Sequence, residues 1–284
     1  MSYRLLALDI DGTIVGNDLE ILSSVSEGIT AAQARGIRVT LATGRTFRAT
    51  LPFARRLAIH DPLICYQGGM VRDPLTDEIY AHVTMDGGLA AQAIELLRVA
   101  GVYPIAYIDE RLCVFEHDAE LDTYLRWHPE GTEVVISPDL ASYVAKAPPT
   151  KLLFIAEPEK VGSQLVRLAA RFGDQLAVLR SHAMFGELTA PGVSKGSALK
   201  TLAERLGIAR EHVVAIGDHE NDLPMIAWAG LGLAMGNAIP AVRDAADAII
   251  PSVEEAGVAW AIEHYLLSEN KRSRIEDRGS KIEG

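Results

Sequence analysis

The chain has few cysteines and no hydrophobic run long enough to cross a bilayer. Two cysteines, Cys65 and Cys113, occur among its 284 residues, with no CxxC pair and no Cys/His cluster around them. The sequence therefore predicts neither a disulfide framework nor a zinc site, and no membrane-spanning helix. Residues 1–8 run directly into a strand-like segment without the basic flank or cleavage site of a signal peptide, which predicts a cytoplasmic protein.

Positive charge is also scarce, since the formal net charge is -11. A protein that binds nucleic-acid polymers independently of sequence needs surplus Lys and Arg to neutralise phosphates, so this function is excluded. A negative surface also repels small phosphorylated molecules. Any phosphate site must therefore be locally positive, built from a metal ion, a lysine and backbone N–H groups.

What the chain does contain is the composition of an ordinary globular protein, with 49% hydrophobic and 23% charged residues, at a length that favours two domains. Short apolar runs alternate with amphipathic stretches. We predict strands at 4–10, 37–42, 63–66 and 213–216, and helices at 23–35, 47–57 and 195–206. This order is typical of an α/β fold with a doubly wound parallel sheet, in which ligands bind beyond the carboxyl ends of the strands.

The middle of the chain has a different pattern, which predicts an inserted α+β unit. We expect helices at 88–100 and 160–172 and strands at 104–107, 112–116, 151–156 and 177–181. A turn-rich patch at 72–78 precedes this insert, and Pro191 and Gly192 follow it. The predicted organisation is thus a core of 1–83 and 186–267, an insert of 84–185 and a flexible, highly charged tail of 268–284.

The first motif, Asp-Ile-Asp-Gly-Thr at 9–13, directly follows the apolar run 5–8. Two carboxylates separated by one residue can bind a divalent cation and can supply a nucleophile and a separate acid/base. Gly12 allows a sharp turn after the strand. Alone, such a motif is more often a turn or a solvated loop.

The second motif, Thr43-Gly44-Arg45, follows the apolar run 39–42 and precedes the helix predicted from Phe47. A hydroxyl and free backbone N–H groups at this edge suit an anion. Taken alone, Thr43 is more readily interpreted as the cap of the following helix.

The third and fourth motifs complete the set. Lys195 lies at the predicted start of a helix, where the helix dipole disfavours a cation unless an anion is close by. Asp218, Asn221 and Asp222 follow the strand 213–216. Four acids at neighbouring strand ends would repel one another without a cation, and magnesium would supply one. Any one of these residues taken singly is more simply explained as a solvated side chain.

Together, DxDGT, TGR, the Lys of GVSKG and GDxxND resemble the haloacid dehalogenase superfamily, and their arrangement resembles its Cof-type branch. The resemblance covers the whole chain except the tail. It implies a Rossmann-like core with a doubly wound parallel sheet and an inserted α+β cap domain over the site.

The resemblance also implies roles for individual residues. Asp9 would be the nucleophile and Asp11 the acid/base. The transferring phosphoryl group would be bound by Thr43, Gly44, Lys195 and Asn221. Mg²⁺ would be bound by the Asp9 carboxylate, the Asp11 carbonyl and Asp218, with support from Gly12, Arg45 and Asp222, the last orienting Lys195 or a metal-bound water. One departure is Gln67, where this branch usually has Asn; we expect it to shift a contact at the mouth of the site.

The function implied is a magnesium-dependent phosphatase that hydrolyses a small phosphorylated metabolite through an aspartyl phosphate. A phosphomutase of the same superfamily and a catalytically idle phosphometabolite-binding regulator stay open as alternatives. Sugar phosphates, nucleotides and phosphorylated cofactors are all open as substrates, and the protein could be a monomer or a homodimer. Candidate leaving-group contacts in the cap are Tyr103, Tyr107, Trp127, His128, Tyr143 and Phe185, although aromatic residues in such a domain more often belong to its core.

Overall fold

The computed structural model describes residues 2–16, 18–125 and 132–268. The strands are β1 (Leu5–Leu8), β2 (Arg38–Leu41), β3 (Leu63–Cys65), β4 (Met70–Arg72), β5 (Ile79–His82), β6 (Tyr103–Ile108), β7 (Arg111–Val114), β8 (Val134–Ile136), β9 (Lys151–Ile155), β10 (Ala177–His182), β11 (Phe185–Thr189), β12 (Val213–Gly217), β13 (Leu231–Ala234) and β14 (Ala248–Ile249). The α-helices are α1 (Ser23–Ala34), α2 (Phe47–Arg56), α3 (Gly87–Val99), α4 (Ala119–Leu125), α5 (Leu140–Lys146), α6 (Pro158–Phe172), α7 (Lys195–Arg205), α8 (Leu223–Trp228), α9 (Pro240–Ala245) and α10 (Gly257–Ala261), which continues as a π-helical segment, Ile262–Leu267. Trp127, His128 and the predicted tail beyond Ser268 lie outside the described residues.

The central sheet is parallel and has the strand order β14-β13-β12-β1-β2. A bridge between Ala42 and Ile64 places β3 beside β2. The chain leaves β1 towards β2 and leaves β12 towards β13, so the strand order reverses between β1 and β12. The predicted doubly wound α/β fold is confirmed, and ligands of such sheets bind at this reversal point.

The strands of this sheet are buried because helices cover them. β1 and β12 are apolar runs in which every residue is buried, as expected for parallel strands covered on both faces. Among the helices, α1 packs against α10 and α7 packs against α8. The sheet therefore positions its carboxyl-end loops rigidly.

Side-chain caps fix where two helices near those loops begin. The Thr46 hydroxyl accepts a hydrogen bond from the N–H of Ala49 at 3.1 Å, so the alternative in which Thr43 caps α2 is wrong. Ser194 and Ser197 form a reciprocal capping box for α7, a pairing that satisfies N–H groups left free at a helix start. Lys195 is consequently the first residue of α7.

A second, six-stranded sheet has the order β10-β11-β9-β6-β7-β8 and is antiparallel except for the pair β7–β8. It packs with α3 and α6. β11 pairs with both β9 and β10, so residues up to Thr189 belong to this sheet. The expected boundary between 185 and 186 falls inside β11, and we propose that the cap ends at about Thr189.

The turn-rich patch at 72–78 is the connection of a hairpin between β4 and β5. Asp73 Oδ1 accepts hydrogen bonds from the N–H groups of Leu75 and Thr76, both at 2.8 Å, which is a common device in tight turns. The chain then passes from β5 to α3, and we propose that the insert begins between them. In the described part of the chain, no helix combines the length and the apolar character that a membrane span requires.

Candidate active site

Three buried charged side chains meet where β1 and β12 end. Asp9 directly follows β1 and is 5% exposed, while Lys195 and Asp222 are 1% and 0% exposed. The Lys195 ammonium donates to Oδ1 of Asp9 and to Oδ1 of Asp222, each at 2.6 Å. This contact supplies the anionic partners that a lysine at a helix start requires.

Asp222 also fixes the loop that follows β12. Its Oδ2 accepts hydrogen bonds from the backbone N–H groups of Asp218 at 2.9 Å and His219 at 3.0 Å. Both carboxylate oxygens are therefore already engaged by donors. The contact with Lys195 is the one expected of a residue that orients this lysine.

The cluster contains more carboxylates than ammonium groups, and burial together with this negative charge shifts the pKa values of its members. Burial, followed by the charge of Asp222, raises the pKa of Asp9 well above its usual value and raises the pKa of Asp218 to about 7. Burial alone would lower the pKa of Lys195, but Asp222 and Asp9 raise it above the usual lysine value. The cluster thus holds a charged lysine beside more negative charge than that lysine can balance.

A divalent cation fits this cluster. Carboxylate oxygens of Asp9, Asp218 and Asp222 lie within 4.8 Å of one another, and Oδ1 of Asp218 is buried without a hydrogen-bond partner. Oxygen ligands of this kind suit Mg²⁺. Because Asp222 already accepts three hydrogen bonds, Asp9 and Asp218 are the carboxylates left to bind the ion.

Gly12 allows the first motif to approach Asp218 closely. Its φ is +82°, and a Cβ atom at this position would lie 2.2 Å from Oδ2 of Asp218. Asn237 was not predicted, yet its side chain donates to the Gly12 carbonyl at 2.8 Å. It lies in the loop after β13, which ends at Ala234, so inspection of the loop after every strand would have found it.

Arg45 connects the second motif to Asp11. Its Nε and Nη2 donate to the two carboxylate oxygens of Asp11 at 2.9 and 2.6 Å, and its backbone N–H donates to the Thr43 hydroxyl at 3.1 Å. Burial lowers the pKa of Arg45, but the hydrogen bond to Asp11 together with the charges of Asp11 and Asp9 raises it above its usual value. The Arg45 side chain is 14% exposed and the Asp11 side chain 51%, so the pair is buried on the arginine side and open to solvent on the carboxylate side.

Gln67 links the second and fourth motifs. Its Oε1 accepts a hydrogen bond from the Asn221 side chain at 3.0 Å, and its backbone N–H donates to the Thr43 carbonyl at 3.0 Å. The side chain is 1% exposed. Gln67 also lines the cavity, and the expectation that it shifts a contact at the mouth of the site stays a prediction.

A cavity of about 690 Å³ lies above these residues. The six-stranded sheet and its neighbours contribute Tyr107, Tyr124, Lys151, Leu153, Ser181, His182, Phe185 and Glu187 to its lining. Of the aromatic candidates in the cap, Tyr107 and Phe185 line this cavity, whereas Tyr103 lines a separate pocket. Lys151 was missed because it opens an apolar run that the pattern identifies only as a strand.

Comparison with known proteins identifies the family. A sequence model of haloacid dehalogenase-like hydrolases matches residues 6–262. The chain belongs to this family.

Relatives and solved structures of this family are similar to this chain over nearly its whole length. The phosphatase YwpJ of Bacillus subtilis is 28% identical over 93% of this chain and 100% of that protein. The pyridoxal phosphate phosphatase YbhA of Escherichia coli is 28% identical over 94% of this chain and 100% of that protein. A haloacid dehalogenase-like hydrolase from Bacteroides thetaiotaomicron is 30% identical, with a TM-score of 0.81, over 92% and 99% of the two chains. The predicted family is confirmed.

Proposed function

We propose that the protein is a magnesium-dependent phosphatase that hydrolyses a small phosphorylated metabolite through an aspartyl phosphate on Asp9. The class of enzyme, a phosphoric monoester hydrolase, is confirmed by the family and by relatives named as phosphatases. The observation that carries the finer proposal is the buried Asp9–Lys195–Asp222 cluster, which lies beside an unpartnered oxygen of Asp218 and under the cavity.

Asp9 is the nucleophile in this proposal. Lys195 engages its Oδ1, which leaves Oδ2 to attack phosphorus. The ammonium charge offsets the repulsion between an anionic carboxylate and an anionic phosphoryl group. A magnesium ion held by the Asp9 carboxylate, the Asp11 carbonyl and Asp218 would add positive charge at the phosphoryl oxygens.

Asp11 carries the proton in both steps. When the bond from phosphorus to the leaving oxygen breaks, protonated Asp11 gives its proton to that oxygen. The resulting carboxylate then takes a proton from the water that hydrolyses the acyl phosphate. Arg45 binds both oxygens of Asp11, so neither oxygen is free to give or take a proton while this contact holds. Asp11 must leave Arg45 before it is protonated again.

The remaining motif residues bind the phosphoryl group. Thr43 Oγ1 accepts from the Arg45 N–H, so its own O–H hydrogen is directed elsewhere and can donate to a phosphoryl oxygen. The Gly44 N–H and the Asn221 side chain lie at the same strand ends. With Lys195, these donors come from three separate segments of the chain and would hold the reactants in line.

The cap side of the cavity holds the leaving group. Tyr107 and Tyr124 share a hydrogen bond between their hydroxyls, and the Tyr124 ring meets Phe185 edge to face at 5.4 Å. Leu153 adds an apolar wall. A cavity of this size fits a small metabolite. The name of YbhA, which refers to pyridoxal phosphate, supports a phosphorylated cofactor as one candidate beside sugar phosphates and nucleotides.

The test is phosphate release from a panel of phosphorylated metabolites with Mg²⁺ and with EDTA. We expect release by the wild type that requires Mg²⁺ and is lost in the Asp9→Asn variant. Asp174→Asn, the same change at an exposed cap position, is the matched control and should behave as wild type. Transfer to a second hydroxyl without release would indicate a phosphomutase, and binding without turnover would indicate a regulator.

A further inference from the structure

The phosphoryl-binding loop of the core is held by a lysine from the cap. Lys151 begins β9, and its ammonium donates to the carbonyl oxygen of Gly44 at 2.7 Å. The two residues are 107 positions apart in sequence. A residue of the six-stranded sheet thus contacts the backbone of the second motif directly.

The environment of Lys151 keeps this ammonium in place. Its side chain is 3% exposed, and it forms an ion pair with Glu187 of β11 at 2.8 Å, whose side chain is 4% exposed. The ammonium also lies 4.6 Å from the centre of the Tyr107 ring, within the range of a cation–π contact. A buried, hydrogen-bonded ion pair is costly to separate, so Lys151 has little freedom to turn away from Gly44.

The bond acts on the peptide unit between Gly44 and Arg45. Lys151 binds the carbonyl of this peptide, and the Thr43 hydroxyl accepts from its N–H at 3.1 Å. Both ends of one planar peptide are therefore fixed. The orientation of this peptide determines which way the Thr43 O–H hydrogen points, since the hydroxyl oxygen is engaged by the Arg45 N–H.

We propose that Lys151 is a positioning residue for the phosphoryl group: the cap supplies the ammonium that orients the Gly44–Arg45 peptide and, through it, Thr43. The proposal rests on the proposed function. The phosphoryl-binding loop is then complete only while the cap lies on the core. Lys151 thus affects the binding of the phosphoryl group, through Thr43, rather than the recognition of the leaving group, and this distinction decides the experiment.

The experiment is calorimetric titration of inorganic phosphate, in Mg²⁺, into wild type and the double variant Lys151→Met/Glu187→Leu. The double variant removes both buried charges, because Lys151→Met alone would leave Glu187 unpaired. We expect phosphate to bind about tenfold more weakly, the typical effect of losing one charge-assisted hydrogen bond. kcat/KM should fall by a similar factor for every substrate of the panel. If circular dichroism shows the double variant unfolded, Lys151→Gln/Glu187→Gln, which also removes both buried charges, replaces it with the same expected loss.

The matched control is Lys160→Met, which removes a lysine bond to the Gly101 carbonyl at 2.8 Å on the outside of the cap; phosphate binding should not change. Unchanged phosphate affinity in the Lys151 variants would overturn the proposal, even if the ranking of substrates changes. Phosphate release by the wild type in that case would leave the proposed function standing. If the wild type binds phosphate but releases none from any substrate, and the Lys151 variants bind phosphate more weakly, the proposed function is overturned and the role of Lys151 stands. If the wild type binds no phosphate, both proposals are overturned.

Discussion

Replacement of Asp218 by Asn is expected to stabilise the metal-free protein while removing its response to Mg²⁺. Oδ1 of Asp218 is buried without a partner among the described residues, and Oδ2 accepts a long hydrogen bond of 3.5 Å from Asn237. The substitution therefore sacrifices little bonding within the described residues. It removes a negative charge from a site where Asp9 and Asp222 already lie nearby.

The magnitude follows from the pKa of Asp218. The rise from 3.8 to about 7 corresponds to roughly 4 kcal/mol at most, and partial exposure and relaxation reduce this to about 2 kcal/mol. Because the folded-state pKa is raised, ionisation of Asp218 costs stability as pH increases from about 4 to about 7. The advantage of the variant should grow over this range and level off above pH 7.

The assay is thermal unfolding in EDTA and in saturating Mg²⁺ at pH 5 and pH 8. In EDTA at pH 8 the Asp218→Asn variant should melt roughly 5 °C above wild type, with a smaller difference at pH 5. Mg²⁺ at about 100 times its dissociation constant should stabilise wild type by about 2.7 kcal/mol and the variant hardly at all. A variant that melts below wild type in EDTA at pH 8 would refute the reasoning.

Three further substitutions test other parts of the site. Gly12→Ala should abolish the thermal shift with Mg²⁺, because the Cβ atom of the new alanine would lie 2.2 Å from the Asp218 carboxylate. Gly36→Ala is the control and should keep the shift: Gly36 has a similar φ of +78°, and a Cβ atom there would have no atom within 4 Å. Lys195→Met should lower stability by about 3–5 kcal/mol in chemical denaturation, since it leaves two buried carboxylates unpaired; a loss below 1 kcal/mol would contradict this. Thr46→Ala should lower the free energy of unfolding by about 1 kcal/mol in the same assay, because it removes the side chain that caps the start of α2. An unchanged free energy of unfolding would show that this hydrogen bond contributes nothing.

The strands and helices of the core were predictable because their patterns are strong. β1 and β12 are continuous apolar runs, and α7 has a capping serine before it. β11 was missed because Gly186 and Glu187 interrupt its apolar pattern, and its place depends on pairing with β9 and β10 rather than on local sequence. Pairing between strands that are far apart in sequence cannot be predicted from a short stretch of residues.

The sequence predicts those site residues that are polar and lie directly after a predicted strand or at the start of a predicted helix. Asp9, Lys195 and Asp222 meet as the motifs indicate, since carboxyl ends of parallel strands share one edge of a sheet. Lys151 could not be found in this way, because its position over Gly44 depends on how the six-stranded sheet lies against the core. The sequence identifies Gln67 as a departure from the family motif, but its burial and its contact with Asn221 become evident only in the structure.

The charges of the cleft indicate an order of binding. The basic side chains that we describe there are each paired with a carboxylate: Arg45 with Asp11, Lys151 with Glu187 and Lys195 with both Asp9 and Asp222. Asp218 adds a further acid, so without a cation the site carries an excess of negative charge and repels a phosphorylated substrate. A divalent ion bound between the acids would reverse this sign locally. In its absence burial, followed by the charge of Asp222, raises the pKa of Asp218 to about 7. The metal should therefore bind before the substrate, because the site attracts phosphate only after the repulsion among its own carboxylates has been relieved.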